Sequence, residues 1–315
     1  MAYTPIYKYV WLVEVIRKAG EITFEEINSL WLENKELSDG VQLSKRTFHK
    51  WRTAAEELFG IIIDCRRKGG YHFFIANDDD LKTRNFKNWL MDSISASNLL
   101  MQNQSMRDRI LLEPVPSGDC FLDPILRAMK DNSTIIIDYR KFESDTPFDL
   151  GVLHTVEPYA LKIFKRRWYL LGRPVSLIEN PDIPPTDKLY VFALDRINDI
   201  EIRPERKFKL PDGFDAEAYF ADSFGVLVDD DYDACKVVVK VSEKQAPYFR
   251  TLPIHSSQQE TEPCVFEYWL RPTFDFEQEI LSHIPDIEVL SPAWFREEIL
   301  YKIKTAHENA QTSGD

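Results

Sequence analysis

The residues with the clearest chemical potential lie in one ten-residue stretch, FKRRWYLLGR, at positions 164 to 173. The stretch places four basic residues around a Trp-Tyr-Leu tripeptide, in a chain whose formal net charge is −13. Basic side chains neutralise phosphates and aromatic rings stack on bases, and surfaces that bind single-stranded nucleic acid combine the two. If the stretch is a strand, Arg167, Tyr169 and Arg173 share one face, and Trp168 lies on the other. We expect the first face to bind an anionic ligand that carries a base.

A second basic cluster begins at Ser44, in SKRTFHKWRT. Between residues 44 and 72 there are seven Lys or Arg residues against three Asp or Glu residues. Basic residues in the first turns of a recognition helix meet phosphates and base edges in the major groove. The sequence therefore predicts binding to a double-stranded DNA operator through Ser44, Lys45, Arg46, Thr47, His49, Lys50, Arg52, Arg66, Arg67 and Lys68.

The elements around this cluster indicate a winged helix-turn-helix over residues 1–77. An amphipathic first helix precedes a second one, in which Thr23 and Glu26 have the spacing of a capping box. A third helix extends from Ser44 to Gly60, with a predicted buried stripe of Phe48, Trp51, Ala55 and Leu58. Two strands joined by a basic turn follow it. The alternative interpretation is that the basic helix face is only a solvated surface.

The rest of the chain predicts an α+β multidomain protein. Residues 78–118 have the pattern of a helical connector, and residues 119–205 are rich in β-branched and aromatic residues, which favours a small β-barrel of about five strands. Residues 206–315 alternate strand and helix patterns, as in a small α/β extension. From residue 204 onward there are eleven basic against twenty-two acidic residues. Because like charges repel phosphates, we do not expect this last region to touch nucleic acid.

Several classes of protein are disfavoured by what the sequence lacks. It has no run of about 18 apolar residues and no signal-peptide pattern at its start, so we expect a cytoplasmic protein with no membrane partner. We interpret the four separated cysteines as reduced thiols. The acidic loop VDDDYDA has Ala234 where a calcium-binding EF-hand needs glycine, so we interpret it as solvated. No hydrolase, metalloprotease, P-loop or dinucleotide motif occurs, and we expect no enzyme activity, cofactor or metal.

Two longer stretches carry a family resemblance. EPYALKIFKRRWYLLGR, followed by FALDRINDIEI, resembles the signature of WYL-domain proteins. The whole chain, including IPDIEVLSPAWFREEIL in its C-terminal region, is similar to the three-part layout of bacterial WYL transcriptional regulators. The resemblance implies a homodimeric, ligand-sensing regulator with an Sm-like or SH3-like barrel as its sensor. Its effector would be a nucleic-acid fragment or a nucleotide.

The resemblance also implies where the effector pocket lies: His154, Tyr159, Lys162, Arg167, Tyr169, Arg173 and Arg196. His154 stands where many relatives carry arginine, which would make that contact weaker or sensitive to pH. Tyr159 could instead belong to the core, and Arg196 could pair with an internal carboxylate. The arginines as a group could pair with the protein's own carboxylates across a dimer or domain contact.

One further functional class stays open. The protein could bind single-stranded nucleic acid through the barrel without operator-specific regulation, and the winged helix would then serve only for assembly.

Overall fold

The computed structural model describes residues 5–67, 70–77, 86–102, 118–140, 151–175, 188–228 and 232–312, together with residues 109 and 111. The chain divides into two compact units, Met1–Glu113 and Pro114–Asp315. Among the predicted features, Lys68, the acidic residues 229–231 and much of the connector lie outside the described residues.

The first unit contains the three helices and the hairpin that the sequence predicts, plus two short additional elements. Its helices are α1 (Pro5–Ala19), α2 (Phe24–Glu33), α3 (Lys35–Ser38), α4 (Lys45–Phe59) and α5 (Phe86–Gln102). Its strands are β1 (Ile22–Thr23), β2 (Ile63–Arg66) and β3 (His72–Ile75), and they form an antiparallel sheet in the order β1-β3-β2.

Local hydrogen bonds explain where two of these helices begin. The Thr23 hydroxyl accepts from the Glu26 amide, and the Glu26 carboxylate accepts from the Thr23 amide at 2.8 Å, so the predicted capping box is confirmed. Ser44 caps α4, its Oγ accepting from the Thr47 amide at 3.0 Å. Helix α4 ends at Gly60, whose φ of 67° lies in the left-handed region that glycine adopts without strain.

Helix α4 buries Phe48, Trp51, Ala55 and Phe59 in the core of the first unit. The prediction that Leu58 belongs to this buried stripe is wrong, because its side chain is exposed. At about 100° per residue, Phe59 lies about 20° from Phe48 around the helix, whereas Leu58 lies about 80° away. Helix α5 adds Met91 to the same core, so at least part of the connector's apolar face is a core contact.

The second unit begins with helix α6 (Leu122–Lys130) and a five-stranded antiparallel sheet. Its strands are β4 (Ser133–Tyr139), β5 (Val152–Phe164), β6 (Arg167–Val175), β7 (Tyr190–Ala193) and β8 (Ile197–Lys207), in the order β7-β6-β5-β4-β8. The predicted number of strands is confirmed. Across the described ranges, the edge strands β7 and β8 do not pair with each other, and no closed barrel is found.

The two faces of β6 differ in the way that strand alternation predicts. Trp168 and Leu170 pack in the cluster that α6 covers. Leu171 lies on the other face, in a cluster with Phe220 of helix α7 (Ala216–Phe220). The sheet is therefore covered on both sides.

The C-terminal part of the second unit is an α+β layer, as predicted. Its strands β9 (Cys235–Val241), β10 (Gln259–Glu262), β11 (Val265–Leu270) and β12 (Ile287–Ser291) form a sheet in the order β10-β11-β9-β12. Its helices are α8 (Ala246–Thr251), α9 (Phe274–Ser282) and α10 (Ala293–Thr312). Alternate residues of β9, Val237, Val239 and Val241, are buried in the core of this layer. In the part of the chain that the structure describes, no helix is long and apolar enough to cross a membrane.

Candidate functional site

Some of the basic residues of α4 and one of the β2–β3 hairpin share one surface of the first unit. Lys45, His49 and Arg52 on α4 and Arg67 on the hairpin all line a single cleft of about 570 Å³. Arg52 is half-buried, whereas the other three are exposed. The structure thus brings together cations that the sequence separates by more than ten residues.

These cations differ in whether a carboxylate already neutralises them. Three form ion pairs within the unit: Lys45 with Glu25 at 3.7 Å, Arg52 with Glu56 at 3.7 Å, and Arg66 with Glu21 at 2.6 Å. Considering only residues that the structure describes, Arg46, Lys50 and Arg67 form no ion pair, and all three are exposed. Among the described residues, no carboxylate competes with an external anion for these three charges.

The second candidate site lies on the hairpin that contains the WYL tripeptide. The turn between β5 and β6 consists of Lys165 and Arg166, both in the left-handed region at φ 46° and 66°. Such a two-residue turn fits the twist of an antiparallel hairpin. The register that it sets places Lys162 opposite Tyr169. A register shift between Pro158 and Ala160 then places Glu157 opposite Arg173.

Three arginines meet around Asp195, which lies in a 3-10 turn, Leu194–Arg196, between β7 and β8. Arg167 donates to both carboxylate oxygens, with Nη2 2.6 Å from Oδ2 and Nε 3.2 Å from Oδ1. Arg140 donates from Nη2 to the Asp195 carbonyl at 2.9 Å. Arg196 in turn donates from Nε to the Arg140 carbonyl at 2.9 Å. We call Arg140, Arg167 and Arg196 the arginine cluster.

Aromatic rings adjoin the arginine cluster. The Arg196 guanidinium lies 4.8 Å from the centroid of the Tyr139 ring, and that of Arg167 lies 5.6 Å from the centroid of Tyr169. His154 contacts the Tyr139 ring edge-to-face at 6.2 Å between centroids. Burial raises the pKa of both tyrosines, so their hydroxyls stay neutral at physiological pH. The arrangement combines positive charge with ring surfaces, which is the chemistry predicted for a ligand with a phosphate and a base.

Arg173 and Tyr159 belong to a different group of side chains. Arg173 donates to both oxygens of Glu157, at 2.9 and 3.0 Å, and the Tyr159 hydroxyl donates to the same carboxylate at 3.2 Å. Glu157 and Tyr159 are buried, and Tyr159 stacks on Phe208. Six residues of strand, roughly 20 Å, separate Arg173 from Arg167. Both arginines pair with the protein's own carboxylates, but they do so within the sheet.

Lys162 contacts a third aromatic ring. Its Nζ lies 3.9 Å from the centroid of Phe220 on α7. Burial lowers the pKa of Lys162 to about 8, and the nearby charge of Asp275 partly opposes this. The predicted effector residues therefore divide into the surroundings of the arginine cluster, the Glu157 group and the Phe220 contact.

Sequence reasoning did not assign Tyr139, Arg140 or Asp195 to the site. Tyr139 and Arg140 stand at the end of β4, and Asp195 lies about 55 residues further along the chain. A Tyr-Arg pair at the end of an apolar strand was the available signal for the first two. Within the described part of the chain, no group of three or more His, Cys, Asp or Glu side chains is arranged to hold a metal ion.

Comparison with protein families identifies two domains in the second unit. Residues 121–202 match the WYL domain, and residues 233–306 match the WCX domain. The chain therefore contains a WYL domain followed by a WCX domain, and the arginine cluster lies within the first. A comparison with curated proteins found no match.

Two solved structures match this chain over almost its whole length. One is proteasome accessory factor B/C (PafBC) of Arthrobacter aurescens, with 15% identity over 97% of this chain and 47% of that one, and a TM-score of 0.36. The other is described as a CRISPR Cas-related protein, with 11% identity over 99% of this chain and 86% of that one, and a TM-score of 0.38. The chain spans about half the length of the PafBC structure.

Proposed function

We propose that the protein is a DNA-binding transcriptional regulator whose WYL domain senses an anionic effector, a nucleic-acid fragment or a nucleotide, and thereby alters operator binding. One observation carries the DNA-binding part. In a chain with 52 acidic and 39 basic residues, carboxylates are abundant enough to pair with every cation. Yet Arg46 and Lys50 on α4 and Arg67 on the hairpin are exposed and have no ion-pair partner among the described residues. The proposal includes no catalytic step.

In this proposal the first unit acts as a winged helix-turn-helix. Helix α4 enters the major groove with the exposed side chains of its first two turns, and the β2–β3 hairpin is the wing that contacts the backbone. Ser44 and Thr47 fix the start of α4 through the cap, which leaves Arg46 and Lys50 on the solvent side. One such module covers a short site, so we propose a homodimer that reads two half-sites about one helical turn apart.

The test of DNA binding is the salt dependence of duplex affinity in the double variant Arg46→Ala/Lys50→Ala. Each phosphate contact contributes about 0.9 to the slope of log K against log salt concentration. We expect weaker binding and a slope that is smaller by about 1.8 per protomer, measured between about 50 and 200 mM salt.

A matched control separates specific contacts from a change in net charge. Lys209→Ala/Lys304→Ala removes two equally charged side chains in the second unit, which are 81% and 75% exposed. We expect this control to keep the wild-type affinity and slope. Unchanged duplex binding by Arg46→Ala/Lys50→Ala at every salt concentration would refute the assignment.

The effector part of the proposal rests on the arginine cluster and its two tyrosines. A phosphate would bind the guanidinium groups and a base would lie against the rings. The variant to test is Arg196→Ala, because Arg196 bonds a backbone carbonyl and covers Tyr139. A short oligonucleotide is expected to change duplex affinity in the wild type and not in this variant.

Two comparisons make the effector test specific. Arg203→Ala, on β8 of the same sheet and paired with Glu201, should keep the wild-type response. Arg173→Ala is a poor probe, because it would leave the buried Glu157 carboxylate uncompensated and destabilise the domain. An oligonucleotide response that survives in Arg196→Ala would contradict the assignment of this site.

The same arginine and tyrosine surface favours a second candidate function, binding of single-stranded nucleic acid without operator-specific regulation. The two functions predict different results for Arg46→Ala/Lys50→Ala. A regulator loses duplex binding in that variant, whereas a protein that binds only through the WYL domain keeps its single-strand affinity and shows no duplex preference.

A further inference from the structure

The cleft between α2, α4 and the β2–β3 hairpin has features that DNA binding through surface cations alone does not use. Its floor consists of aromatic rings in edge-to-face contact, with Phe48 5.5 Å from Phe24 and 4.7 Å from Phe73 between centroids. Phe48 and Phe73 are buried. Tyr71 lines the cleft from the hairpin and is 65% exposed, so its ring is a wall that a ligand can reach.

Cations surround this aromatic floor. Lys45, Arg52 and Arg67 line the same cleft, and Lys45 and Arg67 are exposed, which places them nearer the solvent than the floor. The volume of about 570 Å³ lies within the range of roughly 300–1,000 Å³ that is common for small-molecule sites. The cleft is therefore large enough for a nucleotide and apolar at its base, and its three lining cations outnumber its one lining carboxylate, Glu25, which pairs with Lys45.

A neighbouring cleft in the same unit is lined by acidic residues and not by basic ones. It has a similar volume of about 480 Å³ and also includes apolar residues, among them Leu30. Its ionisable residues, however, are Glu21, Glu25 and Glu26. Glu25 lines both clefts, so the boundary between an acidic and a basic surface passes through this residue.

We propose that the basic cleft binds one sugar–phosphate unit of nucleic acid. The phosphate lies at the cationic rim, and the apolar face of the sugar packs against Tyr71 and the aromatic floor. This inference rests on the proposed function, because a DNA strand that contacts both α4 and the wing must cross the space between them. A free nucleotide offers the same chemistry, and the experiment distinguishes the two sources.

The contact with Tyr71 differs physically from the contacts of Arg46 and Lys50. Counterions are released when cations neutralise phosphates, so losing those contacts changes the slope of affinity against salt. The ring contact with Tyr71 releases no counterions. Loss of the Tyr71 ring should therefore weaken binding by the same factor at every salt concentration.

The experiment measures duplex affinity of the full chain over a salt series for the wild type, Tyr71→Ala and Tyr71→Phe. We expect Tyr71→Ala to bind about 5- to 30-fold more weakly with an unchanged slope, the loss of one aromatic contact to nucleic acid. Tyr71→Phe keeps the ring and should bind like the wild type. Leu30→Ala, which truncates an apolar side chain in the acidic cleft, is the matched control and should have no effect.

Adenosine monophosphate identifies the source of the bound unit. If the cleft holds a DNA strand, adenosine monophosphate has the same effect on duplex binding by the wild type and by Tyr71→Ala. If it holds a free nucleotide, adenosine monophosphate displaces the duplex from the wild type and not from Tyr71→Ala.

The outcomes also separate this inference from the proposed function. Equal duplex affinity and an equal nucleotide response in the wild type and Tyr71→Ala would overturn the cleft assignment, while the effect of Arg46→Ala/Lys50→Ala would still support DNA binding. Absence of duplex binding by the wild type would overturn both.

Discussion

Replacement of Lys162 by methionine should stabilise the second unit at neutral pH. The Lys162 ammonium lies over the Phe220 ring, and burial lowers its pKa from 10.5 to about 8. Two other ionisable groups are coupled to Lys162. The charge of Asp275 favours the charged form of Lys162. The pKa of His255 is lowered mainly by burial and further by the charge of Lys162. Lys162 is therefore a charge that the fold accommodates at a cost.

The size of this cost follows from the pKa. A drop from 10.5 to about 8 means that keeping Lys162 charged at pH 7 destabilises the folded state by roughly 3 kcal/mol. The close contact with Phe220 returns up to about 2 kcal/mol. Methionine is apolar, has a similar length and fills the same space, so Lys162→Met should stabilise by about 1–2 kcal/mol.

The pH dependence has a definite sign. The pKa of Lys162 is lower in the folded state than in the unfolded state, so the unfolded state binds more protons between about pH 8 and pH 10.5. The free energy of unfolding therefore rises with pH in that window, as the cost of the charged lysine disappears. The penalty is present in full below pH 8. The advantage of Lys162→Met should therefore be largest at pH 7 and shrink towards pH 10.

The assay is thermal unfolding of the full chain at pH 7 and at about pH 9.5. For a unit of about 200 residues, 1–2 kcal/mol corresponds to a rise in Tm of about 2–8 °C at the lower pH. Lys209→Met, at a side chain that is 81% exposed, is the control and should leave Tm unchanged. A lower Tm for Lys162→Met at pH 7, or the same difference from wild type at both pH values, would refute the reasoning.

Three further outcomes follow from the contacts. Asp195→Asn weakens the half-buried ion pair with Arg167 and should lower the free energy of unfolding by about 1–3 kcal/mol in denaturant titrations. Gly118→Ala should lower Tm markedly, because the φ of Gly118 is 71° and an added Cβ would lie 2.5 Å from the backbone of the 3-10 turn. Gly213→Ala is the control: Gly213 has a similar φ of 77° but open space around it, so the free energy of unfolding should fall by only about 1 kcal/mol. Glu25→Gln frees the lysine that it pairs with, so duplex affinity should increase and the salt slope steepen by up to about 0.9.

The elements that the sequence predicts best are those with local signals. The capping box at Thr23 and the Ser44 and Gly60 ends of α4 depend on residues within four positions of each other, and all three are present. Strand alternation around the WYL tripeptide is likewise local. In contrast, β1 has two residues and α3 has four, too few to show a period. Strand β1 exists because it pairs with β3, about 50 residues further along the chain.

The site was predictable in chemistry and less so in geometry. The sequence places cations and rings on one face of β6, but the partners of Arg167 and Arg140 lie 28 and 55 residues away. Which carboxylate meets which guanidinium depends on the pairing of β7 and β8 with the rest of the sheet. The distance of Arg173 from Arg167 follows from their six-residue spacing on one strand, but the pairing of Arg173 with Glu157 is not visible in the order of residues.

The bidentate pair between Arg167 and Asp195 has a consequence for the proposed effector. Asp195 accepts hydrogen bonds from the Arg167 guanidinium through both carboxylate oxygens, as a bidentate phosphate would, so Asp195 competes with any anion for Arg167. An effector can bind Arg167 only in molecules in which this ion pair is broken, so its apparent affinity equals the intrinsic affinity multiplied by that fraction of molecules. The pair thus raises the effector concentration needed for half-saturation, and it favours a ligand whose negative charge is large enough to displace the Asp195 carboxylate.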